Sequence, residues 1–239
     1  MCPPVAASSD IAGRLTAVRE RIARAAERGR RDPAAIRLVA VSKTFGPEHV
    51  RAAAAAGQVD FGENKVQEAL QKIDATSDLS LRWHLVGHLQ TNKARKAAES
   101  FNLIHSIDHQ SLLARIDQAA TEAGHALDLL IQVDLAGEPT KHGARETELK
   151  PVFDAARACR TARVIGLMLL PPAAEDPNEA RRYFRALRAV RERLLAEGVA
   201  PPMLAELSMG MSHDFEVAVE EGATMVRVGT AIFGERMYV

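Results

Sequence analysis

Residues 36–50, "IRLVAVSKTFGPEHV", decide the fold. Five of the six residues from Ile36 to Val41 are apolar, and only Arg37 interrupts them. A run of that kind reads as a strand buried on both faces. A helix is expected next, over 47–56, with proline at its start. A strand followed directly by a helix is the repeating unit of a parallel sheet.

The same alternation continues in both directions. Further strands are expected at 59–62, 82–87, 102–107, 127–135, 163–170, 204–210 and 224–229. Helices are expected over 64–74, 108–123, 145–160 and 178–197. Gly57, Gly124, Gly198 and Gly222 stand where helices should close. Before the first strand, Ile11, Leu15, Val18 and Ile22 repeat at helical spacing, and "SSD" at 8–10 offers caps. Eight strand–helix units in 239 residues predict an α/β fold. The architecture expected is a single (β/α)8 TIM barrel, one domain over 1–239, with an extra N-terminal helix. An open doubly wound sheet is the alternative, weakened because no G-x-G-x-x-G follows the first strand. The units "AAGQVDFGEN" and "EEGATMVRVGT" look alike, which reflects shared architecture.

Composition narrows the function. Lys+Arg and Asp+Glu both number 31, a balance that argues against coating nucleic acid or an acidic membrane. No apolar run approaches the roughly 18 residues of a membrane span. The start "MCPPVAASSD" lacks the pattern of a signal peptide. Cys2 and Cys159 have no CxxC neighbour, so a disulfide framework is not expected and a reducing, cytoplasmic location is.

In a barrel, chemistry gathers at the C-terminal ends of the strands. There the chain places Lys43, "FGEN" (61–64), "WHLVGH" (83–88), "IHSID" (104–108), "QVDLAGEPTKHG" (132–143), "GLMLLPP" (166–172), "SMGMSHD" (208–214) and "RVGTAIFGER" (227–236). The loops after strands seven and eight are glycine-rich, and Ser208, Ser212 and Thr230 add hydroxyls. They read either as a phosphate cradle or as tight turns. Arg227 and Gly229 alternate onto one face of strand eight. Arg227 then meets a ligand or forms an ion pair, with Asp60 or Glu63 as candidate partners. Lys43 is either solvated or reactive; a free lysine amine titrates near about 10.4, and burial or nearby positive charge activates it. A Schiff-base lysine, a phosphate cradle and an arginine near a ring nitrogen together describe a pyridoxal 5′-phosphate (PLP) pocket. A PLP-free Schiff-base aldolase is a further alternative. The pairs His84/His88 and His105/His109 begin on strands, where a four-residue step spans roughly 13 Å, so no metal is expected. Trp83 reads as core.

The segments "AVSKT", "FGENKVQEAL", "WHLVGHLQTNK", "IHSID", "GLM" and "LSMGMSHDFEVAVEEGATMVRVGTAIFGER" resemble the pyridoxal phosphate homeostasis proteins, in the same order over about residues 36–236. These are single-domain fold type III PLP barrels similar to the N-terminal domain of alanine racemase. The resemblance implies PLP on Lys43, with Asn64 beside it and Ser208, Ser212, Gly229 and Thr230 at the phosphate. It also implies Arg227 at the pyridine nitrogen, and Met168, Met211 and His84 lining the pocket. Lys65 and Lys141 match family lysines without an assigned role, and the "PTKHG" loop matches less closely. The similar racemases draw a second base, a tyrosine, from an additional domain and a neighbouring subunit. This chain's tyrosines are Tyr183, on a helix, and Tyr238. The expected function is therefore PLP holding and release in vitamin B6 and amino-acid balance, without turnover. The expected protein is a monomer whose partners are PLP and PLP-dependent apoenzymes. A weak amino-acid racemase is the alternative.

Overall fold

The apolar runs become eight parallel strands that close into a barrel, paired in chain order with the eighth against the first. The computed structural model describes residues 6–137 and 142–235. The strands are β1 (Arg37–Val41), β2 (Asp60–Glu63), β3 (Arg82–Leu85), β4 (Leu103–Ile107), β5 (Leu127–Val133), β6 (Ala162–Leu169), β7 (Glu206–Ser208) and β8 (Met225–Val228). Helices α2 (Pro47–Ala55), α3 (Val66–Ala75), α4 (Ala94–Ser100), α5 (Gln110–Ala123), α6 (Glu146–Ala156), α7 (Arg181–Ala196) and α8 (Phe215–Glu220) form the outer layer. A final short helix, α9 (Thr230–Phe233), follows β8.

The predicted helix ends hold. Gly57, Gly124, Gly198 and Gly222 all take positive φ. Two corrections concern elements. Helix α1 (Ala6–Arg28) begins before Ser8–Asp10, so that segment lies inside the helix and is not its cap. Helix α4 was not among the helices expected from sequence. Its buried face is only Ala94, Ala97 and Ala98, too small to give a strong apolar period. Among the described residues, no helix is long and apolar enough to cross a membrane.

Period-two alternation sorts each strand into an outer and an inner face. Leu38, Ala40, Phe61, Leu85 and Ile104 face outward into the main core, between strands and helices. Leu103, Leu130, Met168 and Met225 form a small apolar cluster of their own inside the barrel. Glycine makes room there: a Cβ on Gly62 would sit 3.1–3.4 Å from Val39, Val41 and Val86. The interior also holds polar groups, with His84, His105, Ser208 and Arg227 all buried. Helix α1 and the segment just after it tie the outer layer together. Arg19 donates to the Ala56 and Gly57 carbonyls at the end of α2, and Arg31 donates to Val219 and Ala223 at the end of α8. Cations at helix C-termini satisfy orphan carbonyls and oppose the helix dipole.

Candidate functional site

A cavity of about 620 Å³ opens at the C-terminal ends of the strands. Seven of the residues expected at the site line it: Lys43, Asn64, Met211, Ser212, Arg227, Gly229 and Thr230. Lys43 and Asn64 get there by parity, each continuing the inward face of its strand. Gly229 stays a glycine because the backbone is close: a Cβ would lie 3.1 Å from the Val41 carbonyl oxygen.

The β7–α8 loop is held rigidly. The Met211 N–H donates to Asp214 Oδ1 at 2.6 Å, and the Arg227 N–H donates to the Gly210 carbonyl. Gly210 has φ of 94°, and a Cβ there would fall 2.5 Å from the Ala218 Cβ, so only glycine fits. Burial pushes the Asp214 carboxyl up, with the Met211 N–H opposing it. Ser212 Oγ accepts from the Gly229 N–H at 3.0 Å and from the Ala231 N–H at 3.5 Å. With its lone pairs so engaged, the hydroxyl keeps its proton as a donor.

Arg227 is 4% exposed, and it hydrogen-bonds to neutral groups, with the Asp214 carboxylate acting on it through charge. It donates to Ser208 Oγ and to the Leu169 carbonyl. Burial lowers its pKa to about 10. The ion-pair partners suggested by sequence are corrected here. Glu63 points outward, where its Oε1 accepts from Lys72 Nζ at 2.5 Å and from Ser42 Oγ at 2.6 Å. Asp60 points inward but pairs with Arg82 at 2.7 Å and His84 at 3.0 Å.

Three expected site residues lie beneath the cavity instead of on its wall. Met168 belongs to the inner apolar cluster. Ser208 and His84 join a chain of contacts through the barrel interior. His84 Nδ1 lies 3.0 Å from His105 Nε2, and His105 Nδ1 lies 2.9 Å from Ser208 Oγ. Burial lowers the pKa of both imidazoles, that of His105 strongly. Residue type and strand-end position put all three near the site; depth along the strand separates them from it. Lys65 turns to solvent and pairs with Glu68, whereas Lys141 and Tyr238, like Cys2, lie outside the described residues. Cys159 is a half-buried free thiol, pushed up to about 11 by burial and the Asp117 carboxylate.

Several cavity residues lie in the strand-end segments read from sequence but have no site role there. Gln132 lines it from β5 and donates to the His142 carbonyl. Its signal was a lone polar residue inside the apolar run "LLIQV". His88, His142 and His213 also reach the wall. The rings of His88 and His142 stack at 3.5 Å and 10°, with Asp108 nearby. One possible ligand atom from each of His88, Asp108 and His142 lies within 4.8 Å of the others.

Residues 14–237 match the family model of the alanine racemase N-terminal domain. The pyridoxal phosphate homeostasis protein of Aquifex aeolicus (strain VF5) is 46% identical over 226 residues, covering 94% of this chain and 98% of the relative. That of Pseudomonas aeruginosa is 42% identical over 230 residues, covering 96% and 97%. The structure of PipY from Synechococcus elongatus PCC7942 with PLP bound superposes with a TM-score of 0.84 at 39% identity, covering 94% of this chain and all of that one.

Proposed function

The chain belongs to the pyridoxal phosphate homeostasis protein family, and from that premise we propose that it holds PLP as a Schiff base on Lys43 and releases it again, supplying PLP-dependent apoenzymes without turning over a substrate. One observation carries this reading: a single cavity collects an amine, a buried guanidinium hydrogen-bonded to a hydroxyl and a carbonyl, and a hydroxyl–glycine loop pair. That donor set fits the three polar ends of the group. Lys43 would take the aldehyde. Ser212, Gly229 and Thr230 would hold the phosphate, Ser212 with its remaining proton. Arg227 would face the ring nitrogen, and Asn64 and Met211 would flank the ring. Ser208, His84 and Met168 would support this wall from below.

When bound, PLP supplies a reactive aldehyde and an electron sink. Arg227 limits the second of these. A cation beside the ring nitrogen disfavours a second positive charge there, and this favours holding over carbanion chemistry. Tyr183 sits on α7 in the outer layer, with Arg182 over its ring, and does not line the cavity. A weak racemase is the second reading, and the imidazoles of His88, His142 and His213 on the cavity wall favour it as alternative acid–base groups.

Reconstitution with PLP tests the proposal. The wild-type protein is expected to gain a visible absorption band, and Lys43→Ala to lack it while keeping its circular dichroism. A band that persists in Lys43→Ala would end the assignment. Incubation with L- or D-alanine is expected to leave each enantiomer unchanged; steady racemisation would select the second reading.

A further inference from the structure

A continuous line of hydrogen-bonding groups crosses the barrel interior, from Arg82 near the N-terminal mouth to Arg227 at the cavity. The ends of the line dictate its direction. The Asp60 carboxylate only accepts, taking Arg82 on Oδ2 and His84 on Oδ1. The Arg227 guanidinium only donates. His84 Nε2 must therefore carry a proton for Asp60, which leaves Nδ1 bare in a neutral ring. The contact at 3.0 Å is then His105 Nε2–H donating to His84 Nδ1. That leaves His105 Nδ1 bare, so Ser208 Oγ–H donates to it at 2.9 Å. Ser208 Oγ is then free to accept from Arg227. Every step follows from the one before, and no other assignment with neutral rings satisfies all five contacts.

We propose that Asp60 is a remote positioning residue for the cavity: it fixes the donor direction of the His84–His105–Ser208 relay, and the relay in turn holds Arg227 in place with an acceptor hydroxyl. Reversing the relay would turn the His105 Nδ1 proton toward Ser208 and take from its hydroxyl the acceptor that fixes its proton, so the lone pair offered to Arg227 would no longer have a set direction. Neutral rings suit this role. Both are fully buried, and the charged groups acting on them are Asp60, Arg82, Arg37 and Arg227. The pairing of Arg37 with Glu206 at 3.8 Å adds a carboxylate at the same end of the barrel. The relay itself is independent of what the cavity binds; its effect on PLP rests on the reading of Arg227 above.

Two measurements test it separately. The first is long-range ¹H–¹⁵N correlation on the histidine rings of the cofactor-free protein, assigned with His84→Gln and His105→Gln. Both rings are expected to carry hydrogen on Nε2 only, unchanged between about pH 6 and 8. A proton on Nδ1 of either ring, or an imidazolium in that range, would overturn the relay. The second is the PLP-loaded protein with Asp60→Asn and Asp60→Glu. Asparagine offers either an acceptor or a donor to His84, so the direction is no longer imposed. Asp60→Asn is expected to shift the absorption band and speed PLP release about tenfold, the effect of about one misdirected buried hydrogen bond. Asp60→Glu, which keeps the anion, is expected to restore both. A spectrum and release rate untouched by Asp60→Asn would overturn the positioning role. If wild type fails to bind PLP at all, the reading of the cavity falls, and the ring tautomers still decide the relay.

Discussion

Lys43 enters the cavity on a turn whose next residue, Thr44, has φ of 72°. A β-branched residue in the left-handed region is strained, by about 1–2 kcal/mol. Thr44→Gly is therefore expected to raise stability by up to about 1 kcal/mol, part of the relief being offset by chain entropy. Urea denaturation measures this, and a loss of stability would show that the Thr44 side chain holds the turn by its contacts. At this scale the sequence spoke clearly about Lys43, because a charged residue ending an apolar run is conspicuous. It did not show the strain at Thr44, since φ is set by the packed turn and not by residue type. Nor did it show Arg227's partners. Those lie on β7 and at the end of β6, and a cation satisfied by a hydroxyl and a carbonyl leaves no charge pattern to read.

Between elements, the end of β1 is locked to β2 and α3 by a buried pair. Lys72 Nζ reaches both Glu63 and the Ser42 carbonyl, and Ser42 Oγ donates to the same carboxylate oxygen. Among the described residues, Glu63 Oε2 has no hydrogen-bond partner. Burial holds the Glu63 carboxyl above the usual range, with Lys72 and Ser42 opposing it. Lys72→Met would leave a buried carboxylate uncompensated and is expected to cost about 3 kcal/mol near neutral pH. The sign with pH follows. A carboxyl whose folded pKa is raised contributes stability below its unfolded value, and loses it as pH rises through the folded one. The penalty of Lys72→Met should thus shrink toward about pH 4. A penalty that is flat with pH, or absent, would contradict this account of the pair. Strand and helix periods revealed β1, β2 and α3 from sequence. The Glu63–Lys72 pair was hidden, because Glu63 read as a candidate partner for Arg227 and Lys72 looks like an ordinary surface charge until the helix is docked.

Over the whole molecule, α1 and α7 are fastened to the region before β8 by charge. Glu220 meets Arg28 and Arg181, and Glu221 meets Arg181, Arg185 and Arg188. Burial raises both carboxyls, but the arginine hydrogen bonds outweigh it and hold them below the usual range. Groups with depressed pKa contribute stability above the unfolded value and lose it as pH falls through the folded one. The melting temperature should therefore drop below about pH 4.5, and Glu221→Gln should flatten that drop. An unchanged acid limb in Glu221→Gln would show that other carboxylates set it. The barrel itself was legible because eight apolar runs alternate with helices, and alternation allows few topologies. The cavity was legible as a set of strand ends, but its floor was not, since the interior relay joins residues distant in the chain. The central claim is that Lys43 carries the cofactor, and borohydride reduction of the PLP-loaded protein followed by peptide mapping tests it most directly. The account predicts one stable pyridoxyl adduct, on Lys43. An adduct confined to another lysine, or none from a protein that binds PLP, would contradict it.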